Sequence, residues 1–224
     1  MKRSVSLVTC FLVLFSITSS AGELRLGRYF SDAMVLQRDK PNVVRGVGKP
    51  GAEVKVSFAG QEKVAKADEK GVWAVTLDPI AANGKELDLT VTSGRDKAVI
   101  KDVLVGDVIL FARQTSKDIT LGRDDQGKKN AERIGKSKAF RAIAIRMIPA
   151  PDPQSDLAAE ATAGWQEVKE AQALKMSGAA ALLGSRHAKD LDVPVGIVDL
   201  NMGYHFPVAW MNRDALRETA LTHR

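Results

Sequence analysis

Cysteine is nearly missing from this 224-residue chain, with Cys10 standing alone, and there are three histidines, His187, His205 and His223. One cysteine cannot form an internal disulfide, and this one falls within an apolar run at the start of the chain, so the rest carries no thiol nucleophile. No His-x-x-x-His, cysteine cluster or acidic loop of metal-ligand spacing occurs, and no Gly-rich phosphate loop follows a strand, so neither a metal nor a cofactor is expected. Aromatic residues make up 5%, too few for a platform on which single-stranded nucleic acid would stack. Charge of one sign does not dominate either: 33 Lys and Arg stand against 27 Asp and Glu. The densest basic stretch, residues 113–146, has no aromatic interleaving and reads as a solvated loop, so nucleic acid is not an expected partner.

Long hydrophobic runs are absent except for residues 5–17, which follow Met1-Lys2-Arg3 and precede Ser19-Ser20-Ala21. A basic start, a short apolar stretch and a small-residue end describe a secretory signal peptide, here residues 1–21. The run is shorter than the roughly 20 residues a spanning helix needs. A secreted or periplasmic protein without membrane association after cleavage is therefore expected. Hydrophobic residues at 45% and charged residues at 27% are near the average of globular chains, enough to bury a core.

Beyond the leader, residues 23–111 consist of short alternating segments separated by turn residues. Glu53-Val54-Lys55-Val56-Ser57-Phe58 and Trp73-Ala74-Val75-Thr76-Leu77 alternate with a period of two, and Leu87, Leu89 and Val91 repeat the pattern. Pro50-Gly51, Gly60, Gly71, Asn83-Gly84 and Ser93-Gly94 supply the turns. About seven strands at this spacing predict a β-sandwich over residues 22–103. Residues 103–111 form a nearly continuous apolar run, as expected of a strand buried on both faces of a parallel sheet. Residues 142–148 and 193–200 read as further strands, residues 167–191 as helical, and residues 209–221 as another helix. Strand, helix, strand implies a βαβ unit, so residues 104–224 are expected to form an α/β domain.

At this point the residues resemble a known family. Phe30-Ser31-Asp32-Ala33-Met34-Val35-Leu36-Gln37-Arg38, Pro50-Gly51-Ala52-Glu53-Val54, Gly71-Val72-Trp73, Lys101-Asp102-Val103-Leu104-Val105-Gly106-Asp107-Val108, Val193-Pro194-Val195-Gly196-Ile197 and Ala209-Trp210-Met211 occur in the order seen in sialate O-acetylesterases. These are secreted carbohydrate esterases of the SGNH-hydrolase type. The resemblance implies a β-sandwich followed by a partial SGNH-hydrolase-like α/β domain. It also implies hydrolysis of O-acetyl esters on sialic acid or related sugars through an acyl-enzyme, with an acetylated sugar or glycan as partner.

Departures from the family pattern concern the catalytic groups. Where the family carries Gly-Gln-Ser-Asn-Met, with Ser as nucleophile, this chain has Arg113-Gln114-Thr115-Ser116-Lys117. Gln114 is retained, and Thr115 takes the nucleophile position with an extra methyl on the attacking carbon, which restricts its rotamers and crowds a tetrahedral intermediate. Gly203 aligns with the oxyanion region, and His205 is a candidate replacement base for Thr115. The Asp-x-x-His pair of the family occurs nowhere in these residues, and without a base a hydroxyl remains a weak nucleophile. The expectation is a truncated, weakly active or inactive family member, with a second chain as a candidate to complete the hydrolase domain. The alternative is a carbohydrate- or protein-binding module built on the β-sandwich. Of the remaining residues, His187 reads as a surface residue near a helix end, Trp73 and Trp210 as core, and Asp107 as a structural anchor whose carboxylate needs hydrogen bonds inside an apolar run.

Overall fold

The computed structural model describes residues 23–113, 119–137, 139–150 and 154–201. Among these residues the strands are β1 (Arg25–Leu26), β2 (Val35–Gln37), β3 (Asn42–Val47), β4 (Glu53–Phe58), β5 (Gln61–Lys66), β6 (Val72–Leu77), β7 (Asn83–Ser93), β8 (Asp96–Arg113), β9 (Phe140–Arg146), β10 (Trp165–Glu167) and β11 (Val195–Asn201). The α-helices are α1 (Gly127–Ile134), α2 (Glu170–Lys175) and α3 (Gly178–Leu191). The architecture is mixed α/β and dominated by sheet.

Period-two alternation makes the first strands. In β4, Val54, Val56 and Phe58 turn inward, and in β6 Trp73, Val75 and Leu77 do the same. β1, β3 and β6 form a three-stranded antiparallel sheet, while β5, β4, β7 and β8 are neighbours in a second sheet. Val44, Trp73 and Leu77 from the first meet Val54, Phe58, Leu89, Val91 and Val103 from the second in one apolar core. Trp73 is 1% exposed, in keeping with its core assignment.

β8 is the axis of the molecule. Its first part pairs antiparallel with β7 through Val105, Leu104 to Gly106 pair parallel with β2, and Asp107 to Arg113 pair parallel with β11. Leu87 and Leu89 of β7 face Val103 and Ile100 of β8, so two steps on one strand match three on the other. The extra residue is a bulge beside Asp102, whose φ of 56° lies in the left-handed region. The boundary expected between residues 103 and 104 thus falls inside one continuous strand of 18 residues.

β11 lies between β8 and β9 and is parallel to both, and β10 adds antiparallel to the outer edge of β9. α2 and α3 connect β9 to β11, giving the expected βαβ unit, and pack with α1 on one sheet face through Ile134, Phe140, Ala180, Ala181, Val195 and Ile197. Ser177 caps α3, its Oγ accepting a hydrogen bond from the Ala180 N–H at 3.3 Å. A Cβ built on Gly184 would stand 2.4 Å from the buried Phe140 ring, so this glycine is what lets α3 approach β9.

Several expectations are corrected. The single helical stretch over residues 167–191 is two helices, broken at Met176 and Ser177, and its first residue, Glu167, is the last of strand β10. The stretch over residues 113–146, expected as a loop, contains α1 and a 3-10 turn at Leu121–Arg123. Burial of residues 103–111 on both faces holds at Val103, Leu104 and Val105 but not at Leu110, which is 60% exposed: among the described residues no helix packs on that side of the strand. The expected helix at 209–221, Trp210 and the leader lie outside the described residues.

Candidate functional site

Parallel strands place ligands beyond their carboxyl ends, where loops diverge on either side of the sheet. Here β8, β11 and β9 end together at Arg113, Asn201 and Arg146, with Asn201 directly opposite both of the others. Arg113 turns back along the edge and donates from Nε to Asp199 Oδ1 and from Nη2 to Asp199 Oδ2, both at 3.0 Å. Arg146 Nη2 donates to the Glu160 carbonyl at 2.7 Å.

Two hollows open near this edge. A cleft of about 800 Å3 is lined by Arg28, Tyr29, Arg45, Arg146, Ile148 and Leu200, among others. Its walls come from the turn after β1 and the segment after β9. Arg45 Nε donates to the Tyr29 hydroxyl at 2.6 Å, and its guanidinium lies 5.3 Å from the Tyr29 ring centre. Burial pushes the Tyr29 hydroxyl above the ordinary phenol range, against the opposing effect of Arg45. Trp165 supports this wall by donating from Nε1 to the Tyr29 carbonyl at 2.9 Å. A smaller cavity of about 190 Å3 lies under α2, where Asp199, Gln172, Lys175, Met176 and Ala144 converge. Gln172 Oε1 is buried there without a hydrogen-bond partner.

A third cleft, of about 770 Å3, sits at the opposite, amino edge, beside Pro194, Arg133 and Lys189. Near that end the structure joins two residues that the sequence keeps apart. His187 donates from Nε2 to Asp107 Oδ2 at 2.9 Å, and Arg38 grips the same carboxylate through Nε at 2.8 Å and Nη2 at 3.2 Å. Asp107 is thus an anchor, as expected, while His187 is partly buried against it and is no free surface residue. The Arg38 hydrogen bond, assisted by His187, holds the Asp107 carboxyl below the usual carboxylate range despite some burial. The Asp107–His187 pair has the form of a catalytic dyad but the wrong address. It lies six residues from Arg113, about 20 Å along a strand, and Asp107 is already committed to Arg38.

Of the residues expected at the site, Gln114, Thr115, Gly203 and His205 lie outside the described residues. Arg113 and Asn201, which immediately precede the two segments carrying them, are register partners. Asp199 was not singled out from sequence: a lone acidic residue in a strand carries no signal until its arginine is known. Among the described residues no three His, Cys, Asp or Glu side chains come together as a metal site, and no helix is long and apolar enough to cross a membrane.

No family model matches the chain, and no curated protein matches it by sequence. Among solved structures it is similar to XAC1771, described as a novel carbohydrate acetylesterase from Xanthomonas citri, at 29% identity with a TM-score of 0.78. That match covers 87% of this chain and 44% of the other, so the chain spans less than half the length of that protein. A bacterial immunoglobulin-like domain from the M. primoryensis ice-binding adhesin matches 39% of this chain and 98% of its own length at 19% identity, but a TM-score of 0.25 carries no argument. The similarity that counts is to a carbohydrate acetylesterase.

Proposed function

We propose that this protein hydrolyses O-acetyl esters of sugars at the carboxyl edge of its parallel sheet. The observation that carries the proposal is the similarity to the Xanthomonas citri carbohydrate acetylesterase over 87% of the chain. Within this reading the substrate is an acetylated sialic acid or a related acidic sugar. Support comes from the cleft beside the edge, where the guanidinium groups of Arg28, Arg45 and Arg146 suit a carboxylate. Arg28 is partly neutralised by Asp156, at 3.5 Å, which leaves Arg45 and Arg146 as the main anchors. The reading includes export, on the leader expected over residues 1–21.

The chemistry assigned to the edge is acyl transfer. Thr115 Oγ1 bonds to the acetyl carbon, the ester bond to the sugar breaks, and the sugar oxygen leaves with the proton that the base took from Thr115. Water then releases acetate and restores the hydroxyl. His205 is the base in this scheme and the backbone near Gly203 the oxyanion donor. The methyl on the attacking carbon slows this step relative to serine, so low activity is expected.

The test is acetate release by the full chain from O-acetylated sialic acid, a neutral acetylated sugar and a small aryl acetate. Turnover above the Thr115→Ala background, favouring the acidic sugar, is expected, and Thr115→Ser should raise it by roughly tenfold. Acetate release no faster than that background on all three substrates would overturn the proposal.

A further inference from the structure

In the family that the sequence resembles, glycine stands where this chain has Arg113. The structure shows what that replacement comes with. Arg113 closes a two-bond fork on Asp199, a carboxylate two register positions back on the neighbouring strand, with both contacts at 3.0 Å. The side chains keep 19% and 9% exposure, so the pair is largely withdrawn from water. Burying two charges costs about as much free energy as their attraction returns, so such a pair is poor evidence for stability. What a planar fork does supply is direction, because it fixes rotation as well as distance.

We propose that the Arg113–Asp199 fork is a positioning device for ester cleavage. It locks the angle at which β8 and β11 leave the sheet at Arg113 and Asn201. Neither residue touches the acetyl group; each acts through the backbone it holds. The inference rests on the esterase reading above and names the part of this chain that takes over from glycine at the edge.

Three variants of the full chain test it: Asp199→Asn, Arg113→Lys, and the double variant Arg113→Met with Asp199→Leu. The first removes the carboxylate charge, the second keeps both charges but cannot make the fork, and the third removes both charges while retaining volume. Each is measured for kcat and KM of acetate release and for Tm. The single variants should lower kcat by about tenfold or more, since a displacement near 1 Å can cost up to about a hundredfold. Their KM should stay within about twofold of the parent. The double variant should regain the parent Tm to within about 3 °C without regaining kcat. Recovery of kcat together with Tm would make the pair structural only and overturn the inference, as would single variants with parental kcat. Should the double variant not fold, Arg113→Lys decides alone: parental kcat overturns the inference, and a lowered kcat at parental Tm sustains it. A parent chain that releases no acetate overturns the esterase reading and this inference with it, whereas an active parent with indifferent variants overturns this inference alone.

Discussion

Asp107 accepts hydrogen bonds from three side chains at once, Arg38, His187 and, at 3.5 Å, Gln37. Because its folded-state pKa lies below the ordinary value, with the Arg38 hydrogen bond as first cause, its contribution to stability is complete above the ordinary carboxylate range. That contribution is lost as pH falls through the lowered value. Asp102 runs the other way: burial raises its pKa in spite of Arg141, so the stability linked to it is present in acid and declines as pH rises through the raised value. An Asp107→Asn variant should therefore melt about 2–6 °C below the parent at pH 7, and the gap should close as pH falls below the ordinary carboxylate range, about pH 4. Melting curves across that range check this; a gap that stays constant in acid would show that the carboxylate charge is not its source. The sequence marks Asp107 as a carboxylate in need of partners, but it cannot name them, because Arg38 and His187 lie 69 and 80 positions away.

Elements whose inward face is spelled in their own residues were readable in advance. β4 and β6 alternate cleanly, and β9 and β11 lie within two residues of the segments read as strands. α1 leaves no such mark, because only Gly127, Ala131 and Ile134 are buried among charged and polar residues, too few apolar residues to show a helical stripe. The break between α2 and α3 is not legible either, because Ser177 becomes a cap only when its backbone leaves the helical region, at φ −49° and ψ 128°. At the candidate site, the sequence shows Arg113 where the family carries glycine, but its role depends on Asp199 in a strand 86 positions later. α3 also carries a test of its packing. Replacing Gly184 by Ala gains about 1 kcal/mol of helix propensity, yet the new methyl would sit 2.4 Å from Phe140, which is fully buried and has no room to move. Overpacking of this kind costs about 1–3 kcal/mol, so the variant should be less stable in denaturant titration. A rise in the unfolding midpoint would mean that α3 can shift outward without penalty.

Among the described residues there are two apolar cores, one between the antiparallel sheets and one beneath the helices, and β8 runs into both. Further ties cross the junction, among them the Arg38–Asp107–His187 cluster, Arg141, 2% exposed, which binds Asp102 at 2.9 Å, and Trp165, which donates to the Tyr29 carbonyl at 2.9 Å. These links predict one cooperative transition for the two halves, seen as a single calorimetric endotherm whose measured and van't Hoff enthalpies agree. Two resolved endotherms would show that the halves melt independently in spite of the shared strand.

The bulge beside Asp102 has an outcome for anyone who wishes to recombine this protein. Side chains alternate between faces along a strand, so adding or deleting one residue between Val103 and Arg113 would invert every contact downstream, sending Ile109 and Phe111 away from the helices. A chimera joined at residue 103 inherits that hazard, and a graft of the amino-terminal half onto another scaffold has to carry β8 whole.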